Sequence, residues 1–215
     1  MGRAPTDTKQ KLIETAIELI WRESYNGVSV DEICKKADVK KGSFYHYFPS
    51  KAHLAVETMD SCMEETKIKY DDIFSPVRTP IERFQLMVQH VIDQQKEILA
   101  ELGHVCGCPF ATLGSEMAAQ EGEIGQKINE ICAKKTAYYQ STLRDLRAQG
   151  LVDTDINIAV KADEIFSFII GQLIMARIKN DLSFIEDNLE KALFDLIGVK
   201  APLENKNAKP KELTG

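Results

Sequence analysis

Apolar positions along the chain recur at helical spacing from one end to the other, and no stretch alternates with the two-residue rhythm of a strand. An all-α fold follows. Leu12, Ile13, Ala16, Ile17, Leu19 and Ile20 form one stripe of a helix predicted over Thr8 to Ser24. Ser29-Val30-Asp31-Glu32 is a capping box, with Ser29 as N-cap, and opens a second helix from about Val30 to Ala37. Asp38-Val39 leaves room only for a tight turn. A third helix enters near Lys40, with Phe44 and Phe48 four residues apart on one face.

Pro49-Ser50-Lys51 starts a long helix to about Phe74, with Ser50 as N-cap. Its Leu54, Met59, Cys62, Met63 and Ile68 are expected to pack on both halves of the molecule. Further helices are predicted over Ile81 to Glu101, Pro109 to about Met117, Gln126 to Gln149, Ile158 to Lys179 and about Phe184 to Ile197. The last two carry more apolar surface than one small domain covers, which implies a four-helix interface between two copies. This organisation predicts a three-helix helix-turn-helix domain over 1–54 and a larger helical ligand-binding and dimerisation domain over 55–200. Residues 1–7 read as a loose arm in which Arg3 reaches phosphate, and 201–215, rich in Lys, Asn and Pro, as a disordered tail.

Charge sharpens this division. The chain carries a net −6, yet residues 1–54 hold nine Lys and Arg against seven Asp and Glu, leaving 18 against 26 for the remainder. The positive part is the part with the helix-turn-helix. No apolar run is long enough to cross a membrane and no export signal is visible, so a cytoplasmic protein is expected. Five cysteines, an odd number without a regular framework, read as reduced thiols, and no cofactor is called for.

Val39-Lys40-Lys41-Gly42-Ser43-Phe44-Tyr45-His46-Tyr47-Phe48 is the stretch around which the rest is organised. Lysines and a short hydroxyl at a helix N-terminus suit phosphate, because the unpaired N–H groups and the helix dipole already favour an anion there. Gly42 lets a backbone come close. The expected DNA contacts are Ser29, Lys40, Lys41, Gly42, Ser43, Tyr45, His46 and Lys51. Lys41 and Ser43 are placed nearest the bases, and Tyr45, His46 and Lys51 at phosphates.

With Gly27-Val-Ser-Val-Asp-Glu-Ile, Ala37, Val39-Lys-Lys-Gly-Ser-Phe-Tyr-His-Tyr-Phe and Ser50-Lys51, the first 55 residues or so resemble the TetR family of one-component transcriptional regulators. The resemblance implies a homodimer on double-stranded operator DNA, usually a repressor, released when a small-molecule effector binds the larger domain.

Gly103-His104-Val105-Cys106-Gly107-Cys108-Pro109-Phe110 admits three readings: a Cys-x-Cys metal site with only three local ligands, a pair of redox or electrophile-sensing thiols, or a tight loop of small buried residues. Gly107-Cys108 followed by an apolar helix and Ser115-Glu116 also resembles the TetR-family branch that senses electrophiles. That resemblance implies a sensing thiol at Cys108 and its basic partner at Arg177. Met117, Tyr138, Tyr139 and Phe166 are candidate pocket residues, since amphipathic rings suit mixed ligands. The rival function is a thiol-dependent detoxification enzyme working through Cys106 and Cys108.

Overall fold

The structure, a computed structural model, describes residues 5–117 and 122–200. The predicted tail and Arg3 lie outside the described residues. Among the described residues all regular structure is helical. α1 (Pro5–Arg22), α2 (Val30–Ala37) and α3 (Lys41–Tyr47) form the N-terminal cluster, and α4 (Lys51–Ile73) leads away from it. There follow α5 (Pro80–Leu102), α6 (Pro109–Met117), α7 (Glu123–Ala148), α8 (Ile158–Lys179), α9 (Ser183–Glu186) and α10 (Leu189–Ile197).

Local chemistry sets these boundaries. At the start of α2 the Glu32 N–H donates to Ser29 Oγ (3.2 Å), while the Ser29 N–H donates back to Glu32 Oε2 (2.7 Å). Thr79 and Glu82 repeat the reciprocal pair at α5, where Pro80 fills the first helical position and needs no N–H partner. Ser50 Oγ accepts from the His53 N–H (3.1 Å) and opens α4.

Two apolar clusters result. One joins Leu12, Ala16, Ile33, Phe44, Phe48 and Leu54, all almost fully buried, and extends along α4 to Met63. It also takes in Leu113 of α6 and Ile124 and Ile131 of α7, so the larger half lends side chains to the smaller. The other centres on Phe84, Met87, Tyr139, Leu143, Ile165 and Leu193. Each fully buried side chain of this size contributes about 1.5–3 kcal/mol.

Four expectations are corrected. α1 already begins at Pro5, so residues 5–7 are helical rather than a loose arm. Ile68 packs on neither cluster and is 72% exposed. α7 begins at Glu123, three residues before the predicted start. The single final helix is two, because the backbone leaves the helical region at Asn188 (φ −130°, ψ −15°), a break that an apolar stripe does not register.

Candidate functional site

α2 and α3 are joined by a turn that uses a left-handed residue. Asp38 takes φ 55°, ψ 47°, and its N–H and that of Val39 close back on Lys35 O (3.3 Å) and Cys34 O (2.9 Å). This ends α2 without a spare residue, and α3 starts after Lys40. Phe44 and Phe48 bury the inner face of α3 completely, as their spacing predicts. The outer face is left to Lys40, Lys41, Gly42, Tyr45 and His46, all exposed, with Ser43 half-buried. A Cβ built on Gly42 would meet nothing within 4 Å, so that side of the helix is open to an incoming surface.

The structure brings Ser29 and Lys41 to this face but shows them engaged. Lys41 Nζ lies 2.8 Å from Asp31 Oδ1 in an ion pair exposed on both sides, the kind that contributes little. The Ser29 hydroxyl belongs to the α2 cap, where it also donates to Glu32 Oε2 (2.7 Å). Lys51 departs from expectation. Its ammonium donates to Tyr25 O (2.8 Å) and Val28 O (2.9 Å) and sits 4.1 Å from the Tyr25 ring centroid. Burial lowers its pKa. The charge therefore ties α4 to the α1–α2 connection and is turned inward from any phosphate.

A cavity of about 410 Å³ lies between α4, α5, α7 and α8 and is walled at one end by the Gly107-Cys108 loop. Ile98, Phe166, Ile169, Ile170, Leu173 and Tyr139 make it largely apolar. Phe166 is one of its lining residues. Tyr138 and Met117 do not line it; Tyr138 lines a second cavity of about 400 Å³, with Met63, Lys67 and Lys134. The Tyr138 hydroxyl donates to Asp71 on the outer side; burial first, and then this bond, push its pKa up to about 12, and Met117 packs against the N-terminal cluster. One helical step separates Tyr138 from Tyr139, and that 100° rotation decides which ring faces inward.

The two loop cysteines diverge. Cys108 lines the cavity, whereas Cys106 is buried beside His104, with Sγ 3.6 Å from Nε2. Burial raises the Cys106 pKa and the nearby Arg177 opposes the rise. Arg177 Nη1 itself donates to Thr112 Oγ1 (2.8 Å) in α6, and that hydroxyl lies 3.2 Å from Cys108 O as its donor. Arg177 therefore binds the start of α6; it makes no contact of its own with the Cys108 thiol in the hydrogen-bond network. Burial pushes Cys62, also on the cavity wall, up to about 11, which leaves that thiol protonated and unreactive at neutral pH. Among the described residues no three His, Cys, Asp or Glu side chains converge as a metal site, so the metal reading of the loop finds no geometry.

α6 connects the cavity to the N-terminal cluster. It begins one residue after Cys108, contributes Leu113 to the N-terminal cluster, and ends near Glu116, whose Oε2 accepts from the Asn26 N–H at the α1–α2 corner. Trp21 of α1 borders both the cavity and a small cleft under Leu113. Sequence reasoning missed Glu116 and Gln95. Glu116 gives no local signal, because its partner is a distant backbone amide. Gln95 does give one: it occupies an apolar position in the series Phe84, Val88, Val91, Gln95, Ile98, and its side chain is only 3% exposed.

Comparison with known proteins agrees with this architecture. Residues 12–58 match the bacterial regulatory proteins of the tetR family, and residues 80–191 match the tetracyclin repressor-like C-terminal domain. An uncharacterized HTH-type transcriptional regulator in the lacX 3′ region of Lactococcus lactis subsp. lactis is 26% identical over 202 residues, covering 90% of this chain and 96% of that one. The HTH-type transcriptional repressor KstR of Rhodococcus jostii is 26% identical over 157 residues, with 72% and 71% covered. The crystal structure of Escherichia coli NemR in its reduced form superposes with a TM-score of 0.75 at 19% identity, covering 91% of this chain and 100% of that one. These relatives are regulators and not enzymes, which removes the thiol-dependent catalyst from consideration. With both halves matched, the chain belongs to the TetR family of bacterial transcriptional regulators.

Proposed function

We propose that this regulator is a cytoplasmic repressor that binds a palindromic operator as a homodimer and releases it when a small molecule occupies the cavity. The observation that carries the reading is the continuity of α6: its first turn, Pro109 and Phe110, follows Cys108 in the cavity wall, and its last turn holds the α1–α2 corner through Glu116. A ligand that displaces the wall shifts the element against which the DNA-binding helices rest.

In this reading residues 1–54 read DNA and 55–200 bind effector and partner. Lys41 and Ser43 approach bases, Tyr45 and His46 contact phosphates, and Lys40, Gly42 and Ser29 complete the surface. Dimerisation is supported by Val160, Ile174, Met175 and Ile178, apolar side chains of α8 left substantially exposed. Two copies packed there would set two α3 helices on half-sites about 34 Å apart. Repression is the role of the KstR relative, a transcriptional repressor. The test is binding to the chain's own upstream DNA against random duplex across a salt series. A preference that weakens steeply with salt is expected, and equal, salt-insensitive binding overturns the reading.

A second reading makes the effector an electrophile captured by Cys108, because that thiol lines the cavity at the base of α6. Release of DNA by a mild electrophile in the native chain but not in Cys108→Ser supports it, and identical behaviour of the two sends the search to non-covalent ligands.

A further inference from the structure

Gln95 projects from α5 into the wall of the cavity, and its side chain is nearly all buried. Its Nε2 donates to Gly107 O at 3.3 Å. A carbonyl only accepts, so this bond fixes which way the amide points. Its Oε1 is then left as a buried acceptor with no hydrogen-bond partner among the described residues. Such an atom is costly to bury unless something donates to it. It belongs to a largely apolar cavity whose wall also carries Glu65, Lys69, His90 and Lys135, and a buried polar group among apolar side chains is what fixes orientation in a binding site.

We infer that the cavity selects an uncharged, mainly apolar molecule carrying a hydroxyl or N–H group that donates to Gln95 Oε1. The inference rests on the ligand-responsive reading above and names the class of effector. A carboxylate cannot serve, because it has no proton to donate. A charged body would also have to shed its water against Ile98, Ile169 and Leu173. The wall favours neither sign of charge, since Glu65 stands on it as well as Lys69 and Lys135, the last lying 5.6 Å from both the Tyr70 and the Phe110 ring centroids. Gln95 holds the carbonyl of Gly107, one residue before the cavity-facing thiol, so a donor arriving at Oε1 acts on the loop that begins α6.

The test uses a matched pair of probes, 2-naphthol and 2-methoxynaphthalene, titrated calorimetrically into the full chain at neutral pH. They share an apolar body and differ in the donor. Naphthol is expected to bind at least about tenfold more tightly than the ether, the difference made by a satisfied against an unsatisfied buried acceptor. In Gln95→Met, which conserves volume and removes the acceptor, the ratio should fall to about one. Equal binding of the two probes by the native chain overturns the inference without reference to any variant. So does an undiminished ratio in a Gln95→Met chain that melts like the native one, or absence of binding by both probes. If the probes bind alike and both loosen operator DNA, the role of Gln95 falls while the ligand-responsive reading stands. If naphthol outbinds the ether and operator binding does not move, the role of Gln95 stands and the regulatory reading falls.

Discussion

The backbone N–H of Asn26 donates to Glu116 Oε2 at 2.9 Å, across 90 positions of sequence. Asn26 lies in the connection that Lys51 also ties down through Tyr25 O and Val28 O. The corner between α1 and α2 is therefore held from α4 and from α6 together, and both helices also reach the cavity, α4 through Cys62 to Tyr70 and α6 through Pro109 and Phe110.

Cutting the α6 grip should separate sensing from DNA binding. Glu116→Ala is expected to bind operator within about threefold of the native chain, since the lost bond is solvent-exposed and contributes on the order of 1 kcal/mol or less. Its release by a cavity ligand should be blunted. Operator titrations with and without ligand check this, and full release in the variant would show that the signal travels by another route.

The two lysines flanking the reading surface should respond differently. Lys41→Ala is expected to weaken operator binding, relax its sequence preference and lower the slope of log affinity against log salt, because a cation leaves the DNA-facing surface. Lys51→Met should leave that slope unchanged and instead cost about 2 kcal/mol of stability, through two lost charge-assisted bonds to carbonyls. Salt-series titrations together with denaturant melts distinguish the outcomes.

Gly107 takes φ +70°, and a Cβ there would stand 3.1 Å from Leu173 O and 3.3 Å from Arg177 Cβ. Gly107→Ala is expected to destabilise the protein by about 1–2 kcal/mol from backbone strain alone. In a chain of this size that lowers the melting temperature by roughly 2–8 °C, which calorimetry resolves.

His90, on the cavity wall, has its pKa lowered from the ordinary 6.5, first by burial and then by Lys69 and Lys135. The unfolded chain therefore takes up this proton at higher pH than the folded one. Stability should fall as pH drops from 6.5 towards the lower folded value, and then level off for this group. His90→Gln should flatten that limb of a melting-temperature series between pH 7 and 5.

Much of the fold is legible in the sequence where its determinants are local. The α2 boundaries follow from the Ser29–Glu32 cap and the burial of Ile33 and Ala37, and the inner face of α3 from Phe44 and Phe48. What is not legible depends on partners brought from elsewhere. Lys51 looks like a phosphate ligand until the carbonyls of Tyr25 and Val28 are seen beside it, and backbone acceptors carry no sequence mark. Tyr138 and Tyr139 are indistinguishable by type, and only the azimuth of α7 sends one into the cavity. The break at Asn188 is hidden because the apolar positions continue across it. Gln95 is the intermediate case: a polar residue in an apolar register is visible in the sequence, but its free oxygen is visible only in three dimensions.

Trp21 is the only tryptophan in the chain, and it stands where the cavity, α1 and the cleft under Leu113 meet. Its indole emission consequently reports on a single place, the joint between the two halves. An effector entering the chamber and a movement of α6 against α1 would each alter the polarity around that ring. The unlabelled protein thus carries an optical probe with which the order of the two events, filling and displacement, is read in a stopped-flow trace.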